Sequence, residues 1–316
     1  MKIVLLHNAS AGDQKYSRLD LLNLLREAGY EPQPATLKEV SENPDILQQG
    51  EFVAVAGGDG SMRKAALQLV GTPQFMAPLP MGTANNIANS LGIRGSLEEV
   101  VAGWENGRKR KIDMGVAKGP WGQQWFLEGV GIGLIGRAIT IIEEIDAADP
   151  REFKSSGDKL RRDLSVLVAL AHDLPAVPLK LSVDGRDASG DFLVLEIMNI
   201  GRAGPGVKIA ADTDTSDGFF DMVVARAGDR ESLLKNLHGC LGVPEHKAIL
   251  SSHKVRHLKL TIHGGEFRLD DAVLLKRDDS SKNGSELEIE VVPQALNILL
   301  PGTAISDDAN QVPPVS

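Results

Sequence analysis

Two consecutive strand, glycine loop and helix units, within residues 52–89, constrain this chain more than any other part of its sequence. A short apolar run, residues 52–56, leads into the loop GGDGS at 57–61, and a helical pattern follows. A second apolar run, residues 75–79, leads into GTANN at 82–86 and another short helix. Strands in such units pair in parallel, so we expect both loops at one edge of one sheet.

The two loops predict an anion site. Glycines let the backbone approach a ligand closely, and the helix starts direct N–H groups and partial positive charge at it. Neither loop has the P-loop pattern or the GxGxxG spacing of dinucleotide sites. The Asp59 carboxylate would repel a phosphate by about 4 kcal/mol at about 4 Å and an effective dielectric near 20, unless a divalent cation lies between them. We therefore predict that Asp59 holds Mg²⁺ beside a nucleoside triphosphate; a tight turn with a capping Asp is the alternative.

Length, charge and cysteine content limit the class of protein. A chain of 316 residues predicts two domains, and a net charge of −9 argues against a general nucleic-acid binder. A single cysteine, Cys240, excludes an internal disulfide and is typical of a reducing compartment. The sequence contains no apolar run long enough for a signal peptide or a membrane span. We expect a cytoplasmic protein, with peripheral contact to a membrane as an option.

The order of the elements predicts an α/β region followed by a mainly β region. Strand and helix patterns alternate to about residue 104, which indicates a doubly wound parallel sheet. From residue 177 onward strand patterns dominate and indicate an antiparallel β-sandwich, with helical patterns at 134–147, 158–172 and 229–239. We expect a nucleotide-binding domain at 1–106, a β-rich domain at 107–293 and a disordered tail at 303–316.

The two loops resemble those of the diacylglycerol kinase catalytic family, which includes sphingosine kinases and bacterial soluble lipid kinases. The family loops read GGDGT and GTxND; here Ser61 replaces the Thr, and Asn86 replaces the Asp. Residues 8–12 resemble the family's NPxxG turn, and Asp113 matches the Asp of its DxG strand. The resemblance covers roughly residues 1–301. It implies an NAD kinase-like first domain, to which the C-terminal segment 294–302 returns.

The resemblance also implies ligands and partners. ATP is the expected co-substrate and Mg²⁺ the expected ion, with Asp59 and Asp113 steering the metal directly or through water. The acceptor would be a lipid such as diacylglycerol or a long-chain base, bound at a membrane surface, and a homodimer is an option. The residues expected to contact the nucleotide are Asn8, Gly57, Gly58, Asp59, Gly60, Ser61, Gly82, Thr83, Asn85 and Asn86.

The segment FRLDDAVL, residues 267–274, stands where the family carries a DGE motif whose Asp is the proposed general base. Asp270 matches that Asp, so we predict that it accepts the proton of the attacking hydroxyl. Asp271 and Ala272 depart from the Gly and Glu of the motif. Asp271 is therefore a second candidate for the base, and an acidic hairpin turn without a catalytic role is the competing interpretation.

Two other functions compete with lipid phosphorylation. A kinase for a soluble acceptor, related to NAD kinase, would share GGDG, but the further NxGxLGF-type loop of that family is missing here. A nucleotide-binding protein with weak or no transfer activity is suggested by Asn86 and by the altered segment around Asp270. Some family members hold a structural cation near the Asp of a DGxLD turn; for Asp217-Gly218 we predict only a turn.

Overall fold

The computed structural model of the protein describes residues 1–8, 16–150, 153, 155–210, 213–242, 250–276 and 284–302. Most of the predicted turn at 8–12 and the tail predicted at 303–316 lie outside the described residues. None of the helices in these ranges is both long and apolar enough to cross a membrane.

The first part of the chain alternates strands and helices. Capping boxes at Ser17, Thr36 and Ser96 begin three of the helices, because each side chain and its partner at the third helical position satisfy two N–H groups. A 3₁₀ turn covers Pro44–Gln49. The elements are β1 (Lys2–His7), α1 (Arg18–Glu27), β2 (Glu31–Ala35), α2 (Leu37–Glu42), β3 (Val53–Gly57), α3 (Asp59–Leu69), β4 (Phe75–Pro80), α4 (Asn86–Ser90) and α5 (Leu97–Ala102).

Strands β1 to β4 form a parallel sheet in the order β2, β1, β3, β4. The interior of β3 is apolar on both faces and fully buried, as expected for a strand covered from both sides. Parallel pairing places the ends of β1, β3 and β4 at one edge. The loop after β3 and the loop after β4 therefore start side by side, as predicted.

The second part of the chain is mainly β. A short 3₁₀ turn, Ala227–Asp229, precedes its last helix. Its elements are β5 (Arg108–Gly119), β6 (Gly122–Phe126), β7 (Gly129–Gly133), α6 (Leu134–Ala148), α7 (Ser156–Asp173), β8 (Val177–Val183), β9 (Arg186–Asp187), β10 (Gly190–Met198), β11 (Arg202–Ala203), β12 (Val207–Lys208), β13 (Phe220–Arg226), α8 (Arg230–Cys240), β14 (Ser252–Val255), β15 (His257–Ile262), β16 (Phe267–Leu269), β17 (Ala272–Leu275) and β18 (Ser285–Leu300).

The strand pairings recorded within this second part are antiparallel, including those of β7, β8 and β13 with β10 and of β16 with β7. The second part of the chain has two apolar cores. One lies between the strands, and the other lies beneath α6, α7 and α8. The three predicted helices are confirmed. The fold is thus the predicted class, a parallel α/β region followed by an antiparallel β-rich region.

Strand β18 belongs to both regions. Its first half pairs with β15, and β5 pairs with it on both sides of a register shift between Val292 and Leu296. After the shift, Asn297 and Ile298 also pair in parallel with β4. Gln294 at the shift has φ of 54°, which turns the strand out of line. The chain therefore ends its last strand inside the first sheet, while the exact domain boundaries given above stay a prediction.

Candidate active site

The two glycine loops touch backbone to backbone. A Cβ atom placed on Gly82 would lie 2.5 Å from the Cα of Gly58, so neither position has room for a side chain. The first loop also meets the end of β1, where the Nδ2 of Asn8 donates to the Oγ of Ser61 at 3.0 Å. Three of the sequence elements predicted to contact a nucleotide therefore converge at one edge of the sheet.

Asp59 links the two loops. It is the first residue of α3, and its Oδ1 accepts a hydrogen bond from the backbone N–H of Ile87 at 2.9 Å. Burial raises the pKa of Asp59, while hydrogen bonds from the amides of Ile87 and Asn86 oppose that rise. The carboxylate thus bonds the first turn of α4, whereas its own helix α3 has Gly58 as N-cap and no side-chain cap. Its predicted role as a magnesium ligand stays a prediction.

The second loop is held in a left-handed turn. Asn85 has φ of 48°, and its side-chain amide exchanges two hydrogen bonds of 2.8 Å with the backbone of Gly82. Thr83 lies exposed at the rim. Asn86 is buried, its Nδ2 donates to the carbonyl oxygen of Gly204 at 3.0 Å, and its Oδ1 has no hydrogen-bond partner in the described residues.

The arrangement fits a magnesium-bound phosphate group. The contact between Gly58 and Gly82 leaves backbone N–H groups and the start of α3, an eleven-residue helix, at the open edge of the sheet. Asp59, at the start of α3, is the carboxylate at this edge, and Mg²⁺ in proteins binds through one or two carboxylates and keeps several waters. No cluster of three or more His, Cys, Asp or Glu side chains arranged for a metal is found in the described part of the chain.

Asp270 lies in the hairpin turn between β16 and β17. Its φ is 53°, and its side chain is fully buried. The carboxylate Oδ1 accepts from three successive backbone amides, those of Leu127, Glu128 and Gly129, at 2.8 to 3.2 Å. Burial raises the pKa of Asp270, and these amides together with Arg63 counteract the rise. The residue predicted to be the base is therefore oriented rigidly, with Oδ2 as its less engaged oxygen.

Asp271, the second candidate for the base, is placed differently. Its side chain is 55% exposed, and its Oδ2 would lie 3.5 Å from a Cβ on Gly60. Its Oδ1 lies 2.5 Å from the Nη2 of Arg63, which stands one helical turn after Asp59 on α3. The turn of the second region thus rests directly on the first glycine loop. The structure also shows the acidic hairpin that was the competing interpretation.

Two side chains of the candidate site, those of Arg63 and Glu128, were missed from the sequence. Arg63 could have been found, because a residue four positions after Asp59 shares its face of a helix. Glu128 is buried at the junction of β6 and β7, and its own amide donates to Asp270. Burial raises the pKa of Glu128 well above its ordinary range, and the carboxylates of Asp59 and Asp270 raise it further. A charged residue within an apolar, glycine-rich run was the signal for it.

Asp113 is a buried structural acceptor. Its Oδ2 accepts from the amide of Gly218 at 2.7 Å and its Oδ1 from the amide of Gln294 at 2.8 Å. These bonds join β5 to the register shift in β18 and to the turn at Asp217-Gly218. No contact recorded among the described residues brings Asp113 to Asp59, so its predicted role in steering the metal has no geometric support and stays a prediction.

The ammonium group of Lys254 lies beside the Asp217 turn. The Oδ1 of Asp217 accepts from the amide of Phe219 at 3.0 Å, and its Oδ2 lies 2.7 Å from the Nζ of Lys254. The same ammonium lies 3.1 Å from Oδ2 of Asp221. The turn predicted here is thus present, and a lysine supplies the positive charge between its two carboxylates.

An α/β sheet with two touching glycine loops, faced by an acidic turn from a β-rich region, defines a class of two-domain kinase folds. The family comparison is consistent with this class. Residues 2–117 match the diacylglycerol kinase catalytic domain, and residues 148–300 match the YegS C-terminal NAD kinase beta sandwich-like domain. Residues 2–117 therefore carry a diacylglycerol kinase catalytic domain, and residues 148–300 carry a YegS-type C-terminal domain.

Individual relatives match most of the chain at modest identity. A "Probable lipid kinase YegS-like" from Enterobacter sp. (strain 638) is 28% identical over 262 residues, which cover 79% of this chain and 78% of the relative. A diacylglycerol kinase of Bacillus subtilis (strain 168) is 22% identical over 73% of this chain and 76% of its own. The crystal structure of a diacylglycerol kinase from Bacillus anthracis str. Sterne superposes with a TM-score of 0.66 at 16% identity, covering 96% and 98% of the two chains. That likeness concerns the fold.

Proposed function

We propose that this protein is a magnesium-dependent kinase that transfers the γ-phosphoryl group of ATP to a hydroxyl of a lipid, such as diacylglycerol or a long-chain base. The two domain matches and the names of the relatives support lipid phosphorylation. The observation that carries the proposal is the docking of the Asp270-Asp271 turn on the first glycine loop, through Arg63 and Gly60. It brings a carboxylate of one region to the anion site of the other.

The residues have distinct roles in this proposal. The amides at the start of α3 and in the second loop bind the phosphates, and Asp59 faces the cation. Mg²⁺, when bound, neutralises charge on the phosphates. Asn8 and Ser61 hold the end of β1 against the first loop, and Asn85 keeps the second loop in its left-handed turn.

The transfer step needs a proton acceptor. The acceptor oxygen forms a bond to the γ-phosphorus, the bond from that phosphorus to the bridging oxygen breaks, and ADP leaves. The hydroxyl proton goes to a carboxylate, for which Asp270 is our candidate, through its less engaged Oδ2. The three amides on Oδ1 and the Arg63 guanidinium fix its orientation.

One observation favours a second function, nucleotide binding with weak or no transfer. The Asp270 side chain is fully buried, and its Oδ1 is occupied by hydrogen bonds from three backbone amides. In the neighbouring position, Asp271 is accessible but paired with Arg63. If neither carboxylate reaches an acceptor hydroxyl, the cleft binds ATP without turning it over.

Phosphorylation assays with radiolabelled ATP test the proposal. Diacylglycerol and sphingosine in detergent micelles represent lipid acceptors, and NAD represents a soluble one. Turnover on a lipid supports the proposal, turnover on NAD alone supports the soluble-acceptor kinase, and magnesium-dependent ATP binding without turnover supports the second function.

The asparagine variant Asp270→Asn is the matched probe of the base. Its amide oxygen still accepts from the backbone amides around Leu127, so the fold and the ATP affinity should persist. Turnover should fall by about 10²- to 10⁴-fold if Asp270 is the base. Unchanged turnover in Asp270→Asn, together with loss in Asp271→Asn, would move the role to Asp271.

A further inference from the structure

The side-chain amide of Asn86 bonds the second glycine loop to the second half of the chain. Its Nδ2 donates to the carbonyl oxygen of Gly204 at 3.0 Å, across 118 positions of sequence. Gly204 lies in the turn of the hairpin formed by β11 and β12. Asn86 is only 3% exposed, so little water competes for the bond.

The carbonyl of Gly204 needs a donor, and the side-chain amide of Asn86 supplies one. Turning the Asn86 side chain over would place its oxygen against the carbonyl oxygen of Gly204, two acceptors without a donor. An ionised aspartate at this position has the same difficulty, because a carboxylate only accepts. It would also bring a second negative charge close to Asp59, whose Oδ1 already accepts from Ile87. The family loop carries Asp at this position. The Asn86 found here can donate to the carbonyl oxygen of Gly204, and an ionised Asp could not.

The hairpin beyond Gly204 is itself well ordered by local bonds. The carbonyl of Gly204 also accepts from the amide of Gly206 at 2.8 Å, and the Nη1 of Arg202 donates to the carbonyl of Gly206 at 2.9 Å. Side chains at these glycines would meet Ile135 of α6 at 3.6 Å and Leu160 of α7 at 4.0 Å. The hairpin thus stands between the second glycine loop and the helices that cover the second region.

We propose that Asn86 is a positioning residue that fixes the β11–β12 hairpin, and with it the acceptor-binding half of the protein, against the phosphate-binding loops. With Asn at position 86, this chain lacks the negative charge that an Asp would place near a cation. It has instead a hydrogen bond from Asn86 to Gly204, which joins the two halves. The inference rests on the proposed function, because the orientation of the two halves matters only for transfer between them.

Two variants of Asn86 and one matched control test this role. Asn86→Asp keeps the shape and replaces the donor by a carboxylate, and Asn86→Ala removes the donor without adding charge. Asn89→Asp is the control, because the Nδ2 of Asn89 also donates to a backbone carbonyl, that of Ala84 at 3.0 Å, but within the same loop. Circular dichroism establishes that each variant is folded.

Hydrogen–deuterium exchange of the peptide covering residues 200–210 is the first readout, and it requires no activity. We expect exchange there to become about tenfold faster in both Asn86 variants, the factor that corresponds to about 1.4 kcal/mol. The Asn89→Asp variant should leave the exchange of this peptide unchanged. In steady-state assays kcat with the lipid acceptor should fall by about tenfold or more in the Asn86 variants, while the KM for ATP stays within about threefold.

Unaltered exchange of the hairpin in both Asn86 variants would overturn the inference. So would a higher kcat or a tighter magnesium-dependent ATP affinity in Asn86→Asp, since position 86 would then act through the cation. A wild-type protein that phosphorylates no acceptor would refute the proposed function, and the exchange result would still decide whether Asn86 holds the hairpin.

Discussion

The Nη2 of Arg63 lies 2.5 Å from Oδ1 of Asp271, and its Nε lies 3.9 Å from Oδ2 of Asp270. Arg63 belongs to the helix that begins at the first glycine loop, and both carboxylates belong to a hairpin turn more than 200 residues later. One guanidinium thus faces the two candidates for the base. Glu128 and Asp59 place two further carboxyl groups in the same cleft, and Arg268 contacts the backbone oxygen of Asp270.

Replacing Arg63 should shift the pH dependence of turnover. Arg63 lowers the pKa of Asp270 against the upward effect of burial, so its removal should raise that pKa further. A base must be deprotonated, and the acidic limb of the kcat profile should therefore move to higher pH in Arg63→Met. Arg63→Lys retains a charge and should show a smaller shift. Profiles that superimpose for the wild type and Arg63→Met would show that Arg63 does not act through Asp270.

The contact between the two glycine loops predicts a steric effect. A methyl group on Gly82 would overlap the Cα of Gly58, so Gly82→Ala should push the loops apart. We expect destabilisation of about 1–3 kcal/mol in urea unfolding and a weaker ATP affinity by calorimetry. Gly228→Ala is the control, since nothing lies within 4 Å of a Cβ there. Equal ATP affinity in Gly82→Ala and the wild type would show that the loops do not form the phosphate site together.

The sequence was sufficient to predict that the two loops converge, because parallel strands place their ends at a common edge. The patterns around Gly58 and Gly82 are local, and each loop lies next to the strand that positions it. The predicted helices at 134–147 and 158–172 follow from local periodicity in the same way, and they appear as α6 and α7.

The other wall of the cleft depends on contacts that local patterns do not encode. Asp270 reaches Glu128 because β16 pairs with β7, and nothing in either segment fixes that register. The contacts of Asp113 also depend on long-range pairing. Asp113 matches a family motif, but its carboxylate accepts hydrogen bonds from the amides of Gly218 and Gln294. A motif match identified the residue, and the long-range pairing determined what its oxygens contact.

A buried ion pair beneath the candidate base predicts a large effect on stability. Arg268 and Glu196 are 1% and 0% exposed at the side chain, and their closest atoms lie 2.5 Å apart. Arg268→Met would leave the Glu196 carboxylate buried without its partner, which should lower the free energy of unfolding by about 3–5 kcal/mol. The double variant Arg268→Met, Glu196→Leu should recover part of the loss, because no charge then remains unpaired.

Urea unfolding measures this effect, with Lys38→Met as the control. Lys38 and Glu42 form an exposed pair on α2, and its removal should leave the unfolding midpoint essentially unchanged. Arg268 also donates to the backbone oxygen of Asp270 at 2.8 Å, so the single variant should lose turnover as well. A loss no greater than that of the Lys38 variant would contradict the prediction.

Glu288 on β18 predicts a specific loss of stability in acid. Its carboxylate lies 2.8 Å from the Nε2 of His257 and 3.4 Å from the Nζ atoms of Lys118 and Lys259. The hydrogen bond with His257, followed by the lysines, lowers the pKa of Glu288 from 4.5 to about 2. Because the folded-state pKa is depressed, the stabilisation is complete above about pH 4.5 and is lost as the pH falls towards 2.

The variant Glu288→Gln cannot titrate at this position, so its free energy of unfolding should lie below that of the wild type at pH 6. The gap between the two proteins should narrow as the pH falls from about 4.5 towards 2, the window set by the shifted pKa. Urea unfolding at several pH values measures the gap. Glu286→Gln, an exposed position two residues earlier on the same face of β18, is the control for the loss of a carboxylate on this face. A constant gap for Glu288→Gln would show that its carboxylate is not stabilised by His257 and the lysines.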